Sequence, residues 1–447
     1  MISASIGGAF LFIAIQWGFQ WLPQGKDLRR VGLVGAYTVD TLPPSILEKV
    51  SIGLTVIDQD GTADPGIAER WTAEDNGKSY RFVLRDDVIW HDGSRLKPTD
   101  IQLSFADTQI VRTEREIVYQ LAEEFAAFPV LVSRPLLKNS TTLLYGFLQR
   151  RTILGLGPYE ITRFRLNQDV LEELVIESSD ERIQYRFYPT EERAVLGYLH
   201  GEVDELEDLL SKDAFESKRG VEVSDKLLTD QVVGIFFNTS DPLFTKGFRQ
   251  ALNYSIEKPI GEARALSSYH ADNWAYNPAV KTYTQDLNKA VDLFIKEAPQ
   301  QPIRFQLLTT PAYKNLAEMY QQQWKILGEK AVERCRQEKS EGLNCDALNI
   351  EIDLQVSSAP NTQDFQVLLI AQKIPEDPDQ YLAWHSTQPT NFTRYANPNA
   401  DKLLEDGRKT IKIEDRRAIY QEFQQVLVDD SPAIFLFHPV SYRAKRK

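Results

Sequence analysis

Five histidines, the side chains best suited to holding a metal or moving a proton near neutral pH, stand far apart in this chain: His91, His200, His270, His385 and His438. None has a second histidine at metal-ligand spacing, so a metal centre would have to assemble from distant segments, and no metal is expected. The nucleophile elbow G-x-S-x-G, the zinc helix H-E-x-x-H, the phosphate loop G-x-x-x-x-G-K-[ST] and the dinucleotide fingerprint G-x-G-x-x-G are all absent. Gly155-Leu156-Gly157 comes nearest, but Pro158-Tyr159-Glu160 follows it, without the third glycine or the helical opening that a pyrophosphate needs. Acidic pairs such as Glu123-Glu124 and Glu172-Glu173 are neighbours in sequence, so their carboxylates diverge on a helix or strand and read as solvated surface. Catalytic residues and a cofactor are therefore not expected.

Residues suited to binding are easier to find. Trp274, in Asp272-Asn273-Trp274-Ala275-Tyr276, and Trp384, in Tyr381-Leu382-Ala383-Trp384-His385, lie in polar, loop-like surroundings, where tryptophans often line clefts. Burial as core anchors is the competing reading for each. Arg394, in Asn391-Phe392-Thr393-Arg394-Tyr395, has the planar fork that clamps a carboxylate, with a surface salt bridge as the alternative. Trp274, Trp384, His385 and Arg394 are the ligand-pocket candidates. The two cysteines, Cys335 and Cys345, either form one bridge closing a small loop in an oxidising compartment or remain two thiols flanking a polar insertion.

The elements that must position these residues alternate between two periods. Leu348, Ile350, Ile352, Leu354 and Val356 interleave with polar residues in the period of two of a half-buried strand, and Ile303, Phe305, Leu307 and Tyr80, Phe82, Leu84 repeat the pattern. Phe365 to Ile370 reads as a more buried strand. Leu287, Ala290, Val291, Phe294 and Ile295 share one helical face, as do Leu316, Met319, Tyr320, Gln323, Trp324 and Leu327 after the cap Thr310-Pro311. A third helix carries Ile419, Phe423, Val426 and Leu427 and stops before Ser431-Pro432. Helix and strand in alternation between 285 and 370 imply an α/β fold.

At 447 residues the chain has room for two or three domains. A formal charge of −13 leaves no overall basic surface for a phosphate backbone, so nucleic acid is excluded as a partner. Ile2 to Leu22 carries no charged side chain and is about as long as a bilayer is thick. The bulky Gln20-Trp21-Leu22-Pro23 offers no small-residue cleavage site and no lipid-accepting cysteine, which favours an uncleaved membrane anchor. Lys26, Arg29 and Arg30 lie after this segment, an arrangement that by the positive-inside rule opposes an external body. A basic stretch upstream of the present start would remove that conflict.

Three spaced motifs then occur in order: Pro65-Gly66-Ile67-Ala68-Glu69-Arg70-Trp71, the strand ending Leu84-Arg85, and His91-Asp92-Gly93 followed by Asp100-Ile101. They resemble the family 5 solute-binding proteins of peptide and nickel ABC importers, whose pattern is P-x-L-A-x-x-W, L-R, H-D-G and D-V. Gly155-Leu156-Gly157-Pro158-Tyr159, Gly201-Glu202-Val203-Asp204, Phe237-Asn238, Arg249-Gln250-Ala251-Leu252-Asn253-Tyr254, Asp377-Pro378-Asp379 and Arg416-Arg417-Ala418 extend the likeness over about residues 32 to 440.

The resemblance implies a two-lobed periplasmic-binding-protein-like fold of the type II, cluster C-like kind, with a reduced extra domain and one N-terminal transmembrane helix. Its expected division is an anchor over 1–30, lobe I over 31–50, 155–237 and 432–447, the extra domain over 51–154, carried on lobe I, and lobe II over 238–431. It further implies an extracytoplasmic body that captures a peptide or other small molecule and delivers it to an ABC permease, with Trp71 and Arg249 in structural positions. In peptide-binding members an Asp shortly before D-P-D holds the ligand's α-amino group, and here that place falls to Ile374, with Glu376 or Asp377 as substitutes. A membrane-anchored hydrolase or peptidase, and a ligand receptor without transport, are the rival functions.

Overall fold

A strand with one apolar face must bury it, and Ile303–Thr309 does so with Ile303, Phe305 and Leu307, leaving Arg304, Gln306 and Leu308 on the opposite face of its sheet. The computed structural model describes residues 27–447 apart from 59, 145–147, 217, 262, 298 and 339–343. The expected membrane segment, Ile2 to Leu22, lies outside the described residues, among which no helix is long and apolar enough to cross a membrane. The described chain divides into two compact units, one made of residues 27–51, 137–223 and 443–447, the other of 52–136 and 224–442.

The first unit holds most of a seven-stranded sheet in the order Glu160–Asn167, Val170–Glu177, Glu181–Tyr188, Asp27–Val34, Glu205–Leu209, Val440–Arg446, Val221–Leu227, the last two strands beginning or ending outside its bounds. Asp27–Val34 runs parallel to both neighbours, and Val31 and Leu33 share a core with Ile176, Ile183 and Tyr185. Gly155 and Gly157, the near miss for a dinucleotide loop, do structural work: a Cβ on Gly155 would lie 2.1 Å from the Val50 carbonyl oxygen and one on Gly157 2.5 Å from that of Lys49. The Gly157 N–H donates to the Val50 carbonyl at 2.8 Å, so the motif brings two backbones together.

The second unit holds a five-stranded sheet in the order Ile350–Val356, Ile303–Thr309, Val367–Lys373, Gln231–Phe237, Ala433–Phe437. The first three strands are parallel; Gln231–Phe237 is antiparallel to both of its neighbours. Helices Lys246–Ser255, Leu287–Lys296 and Lys314–Glu338 contribute Phe248, Phe294 and Trp324 to the core beside Phe305. The predicted strands and helices form, but with the ends shifted and with Met319 and Val356 exposed instead of on the buried faces: Leu348 closes a short helical turn before Ile350–Val356, and the strand expected from Phe365 begins at Val367. Ser431, left-handed at φ 49°, terminates the helix Ile413–Asp430.

Observed boundaries differ from the expected ones. Residues 231–237 and 433–437, assigned by resemblance to lobe I, are hydrogen-bonded into the sheet of the second unit. The hairpin Lys138–Leu144 with Leu148–Leu154 falls in the first unit, and the segment 52–136 groups with 224–442. The reason is local: the four-stranded sheet Ala68–Glu74, Ser79–Leu84, Glu116–Gln120, Gln109–Arg112 closes on a ring cluster of Tyr80, Phe82, Tyr119 and Phe128. That sheet's flank then joins the helix Pro398–Lys409, where the Ala126 N–H donates to the Arg408 carbonyl at 2.7 Å and the Arg408 guanidinium lies over Phe125 and Tyr381. Cys335 and Cys345 are disulfide-bonded, which decides between their two readings and fits an oxidising compartment.

Candidate functional site

The Asp377-Pro378-Asp379 turn is fixed from beneath. Asp377 caps it by accepting the Asp379 N–H at 2.9 Å, and its carboxylate receives the Arg416 guanidinium on both oxygens, at 2.8 and 2.5 Å. Arg416 also donates to the Gly407 carbonyl at 2.8 Å and packs under the rings of Trp274 and Tyr420. Burial opposes the charge on Arg416, but the facing Asp377 and Tyr420 more than offset it, and the guanidinium is held charged. Burial likewise raises the Asp379 carboxyl, against the pull of Arg408 at 3.2 Å. Asp377 is thus committed to the protein itself, which removes it as a partner for a ligand ammonium. Ile374 turns into the core at 6% exposure, while its N–H donates to the Asp230 carbonyl at 2.7 Å.

Of the predicted pocket residues, Trp384 and His385 belong to the interior. Trp384 is 1% exposed, spends its indole N–H on Gln380, and packs against Phe236, Tyr395 and Phe435, because its four-residue helix Tyr381–Trp384 turns inward. His385 stacks on Tyr381, with Nδ1 2.8 Å from Thr387 Oγ1 and Nε2 3.3 Å from Glu405 Oε1. This is a threonine beside a histidine beside a carboxylate, yet Nδ1 also accepts the Thr387 backbone N–H. The ring caps its own turn, which accounts for the constellation without a nucleophile. Trp274 is half-buried over Arg416, and the ring and the Glu376 carbonyl oxygen approach the same turn at Gly61, each 3.7 Å from where its Cβ would stand. Glu376 is exposed.

Arg394 has a different role from the expected carboxylate clamp. Its guanidinium donates to the Gln363 carbonyl at 2.7 Å and to Ser240 Oγ at 3.3 Å, pinning the loop 357–366. The same loop is tied by Asn238, whose side chain donates to the Phe365 carbonyl and whose N–H donates to that of Gln366, while Gln366 Nε2 donates to Asp241. The Phe237-Asn238 motif therefore positions this loop.

The loop lines an open, solvent-facing cavity of about 520 Å³ within the second unit. Its floor is Leu308 and Phe365, both buried, with Gln306 and Gln366 half-buried beside them. Gln355, Ser357, Asn361 and Asp364 stand around the rim. No lysine, arginine or histidine lines it. Gln366 is fully engaged, its Oε1 accepting the Gln306 N–H at 2.8 Å, whereas the Gln306 side-chain amide makes no hydrogen bond among the described residues. Sequence reasoning missed this site because Gln306 and Gln355 occupy the polar positions of alternating strands and look like solvent-facing residues. The available signal was an uncharged amide at both places, where Arg304, Glu351 and Asp353 show that charge is tolerated.

At the end of the helix Lys246–Ser255 the half-buried Lys258 donates Nζ to the carbonyls of Asn253 and Ile256 and so caps the helix. Burial, with Arg264 nearby, pulls the Lys258 ammonium down to about 7. Among the described residues no group of His, Cys, Asp and Glu is arranged to hold a metal ion.

Residues 62–110 and 108–393 match the model of the bacterial extracellular solute-binding proteins, family 5. The dipeptide-binding protein of Escherichia coli (strain K12) is 21% identical, over 86% of this chain and 82% of its own length. The oligopeptide-binding protein AppA of Bacillus subtilis (strain 168) is 22% identical, over 94% and 88%. Among solved structures, NikZ from Campylobacter jejuni in complex with Ni(L-His) superposes with a TM-score of 0.71 at 18% identity, covering 95% of both chains. AppA from Bacillus subtilis in complex with a nonapeptide gives 0.66 at 17%, also covering 95% of both.

Proposed function

Because the chain belongs to the bacterial extracellular solute-binding proteins of family 5, we propose that it captures a solute of the peptide class outside the cytoplasm and delivers it to an ABC permease. The observation that carries this reading is a family match over residues 62–393, cavity included, in a chain whose relatives are named for dipeptides, oligopeptides and nickel. Binding of this kind needs preorganised polar atoms and a shaped surface, and calls for no nucleophile. The role is that of a binding protein and not of an enzyme.

The ligand is held differently from a free peptide in the amine-anchoring members, since Ile374 is packed in the core and Asp377 is paired to Arg416. Glu376, exposed at the same turn, and Trp274 beside Gly61 are the original candidates that stay within reach of a ligand. Trp384, His385 and Arg394 serve as supports. We further place the apolar run Ile2 to Leu22 as an uncleaved anchor holding the body outside the cell membrane, and keep the three-part division into two lobes and an extra domain as the family-like reading. Protease accessibility of the body in intact cells tests the anchoring.

Native purification, denaturation and mass spectrometry of released small molecules test the function. A released solute, displaced by competitors and bound again by the emptied protein, is the expected result. A protein that carries nothing and binds none of a broad set of peptides, sugars and metal chelates would overturn it. Hydrolysis of a bound peptide, abolished by Thr387→Ala, would support the hydrolase reading instead.

A further inference from the structure

The side chains around the cavity of the second unit form an unusual set, since they carry hydrogen-bonding capacity in both directions and almost no charge. Gln306 offers an unengaged carboxamide on the floor, with both its N–H donors and its carbonyl. At the rim, Gln355 donates Nε2 to Asp353 and keeps its carbonyl oxygen, Asn361 accepts the Gln363 N–H and keeps its amide donors, and Ser357 accepts the Ala359 N–H and keeps its hydroxyl proton. Asp364 is the one charged lining residue. A carboxylate ligand would find no cation here, and an ammonium would find only a single exposed acid. A carboxamide presents its donor and acceptor side by side, which matches the paired donor and acceptor of adjacent hydroxyl groups. The volume exceeds what one amino-acid side chain fills, and the exposed lining is mainly polar, Leu308 and Phe365 being packed into the core beneath it.

From this chemistry we propose that the cavity is a subsite for a neutral, hydroxyl-rich group of mono- to disaccharide size, borne by the captured solute. The inference rests on the solute-binding reading and specifies part of what that solute carries. It assigns Gln306 and Gln355 as specificity residues and Arg394 as a positioning residue that holds the rim loop through Gln363.

The test is calorimetric titration of the full chain with four neutral disaccharides, cellobiose, maltose, lactose and chitobiose, beside trialanine with free termini and its acetylated, amidated form. At least one disaccharide is expected to bind, about tenfold more weakly in Gln306→Leu and in the exposed rim variant Gln355→Leu, as for the loss of one well-placed hydrogen bond. Arg394→Met is expected to weaken the sugar, with melting temperature recorded in parallel to exclude unfolding. If trialanine binds, no sugar does and the glutamine variants are silent, the subsite is wrong while the solute-binding reading stands. Binding of the blocked peptide alone, lost in Gln306→Leu, would replace hydroxyls by backbone amides and also overturn the proposal. If nothing binds and no solute co-purifies, the parent reading fails with it.

Discussion

Replacing Asp377 by Ala isolates the consequence of burying a charge without its partner. Arg416 and Asp377 are 6% and 9% exposed at the side chain, and the carboxylate takes both guanidinium bonds. In Asp377→Ala the guanidinium retains the Gly407 carbonyl and the Tyr420 hydroxyl but loses its paired carboxylate, leaving within electrostatic reach Asp379, whose own carboxyl is pushed up by burial. Unlike a lysine, it cannot escape by losing its proton. Breaking a buried pair from one side costs about 3–5 kcal/mol, and at roughly 2 °C per kcal/mol for a large domain the melting temperature should fall by about 6–10 °C. Asp377→Asn keeps an oxygen for the Asp379 N–H and should lose less. The assay is thermal unfolding followed by circular dichroism and tryptophan fluorescence, since two units need not melt together. In Asp377→Ala/Arg416→Met both charges are gone, so at least half of the loss should return. A fall of under about 2 °C in the single variant, or a double variant showing the sum of its two single losses, would refute the assignment of this pair as the clamp of the turn.

Three further predictions concern titration and covalent closure. Lys258 titrates near 7 in the folded protein and near 10.5 when unfolded, so between those values the unfolded chain alone keeps the proton and stability rises with pH. The rise is on the order of 5 kcal/mol by linkage, and urea unfolding of wild type and Lys258→Met between pH 6.5 and 10 should show it only in the wild type. Burial holds the imidazole of His438 below its usual range, Gln231 and His270 acting in opposite directions. On acidification the unfolded chain is then protonated first, and stability should decline as pH falls below about 6.5; a His438→Gln variant with an unchanged slope would count against it. Reducing the Cys335–Cys345 bridge, which closes a loop with a sequence separation of 10, should cost about 2–3 kcal/mol by the chain-entropy relation. Urea midpoints with and without reductant measure it, and no shift would refute a stabilising role for the bridge.

Periodicity alone located the strands Ile303–Thr309 and Ile350–Val356 and the helix Leu287–Lys296 to within a few residues, and the first half of the helix Lys314–Glu338, because each buries one face and its residue spacing records that face. The spaced motifs identified the family, since Gly155, Gly157, Asn238, Arg249 and Asp377 are constrained by close backbone approach or by bonds to carbonyls and carboxylates. Arg249, assigned to structure from the sequence, indeed donates to the carbonyls of Ser431, Phe244 and Asp430.

Site residues were harder to read. A tryptophan or histidine in a polar stretch looks the same whether its helix turns it outward or inward, and only the packing of Trp384 on Phe236 and of His385 on Tyr381 shows the inward direction. Arg394 and Gln363 are 31 residues apart, and Asp377 and Arg416 are 39 apart, so neither pairing leaves a mark in local spacing. Composition, periods and motif order belong to the sequence because they follow from local geometry and the polarity of single faces. Which polar groups are spent on the protein and which are left for a ligand was decided by tertiary structure, because that depends on partners that only folding brings together.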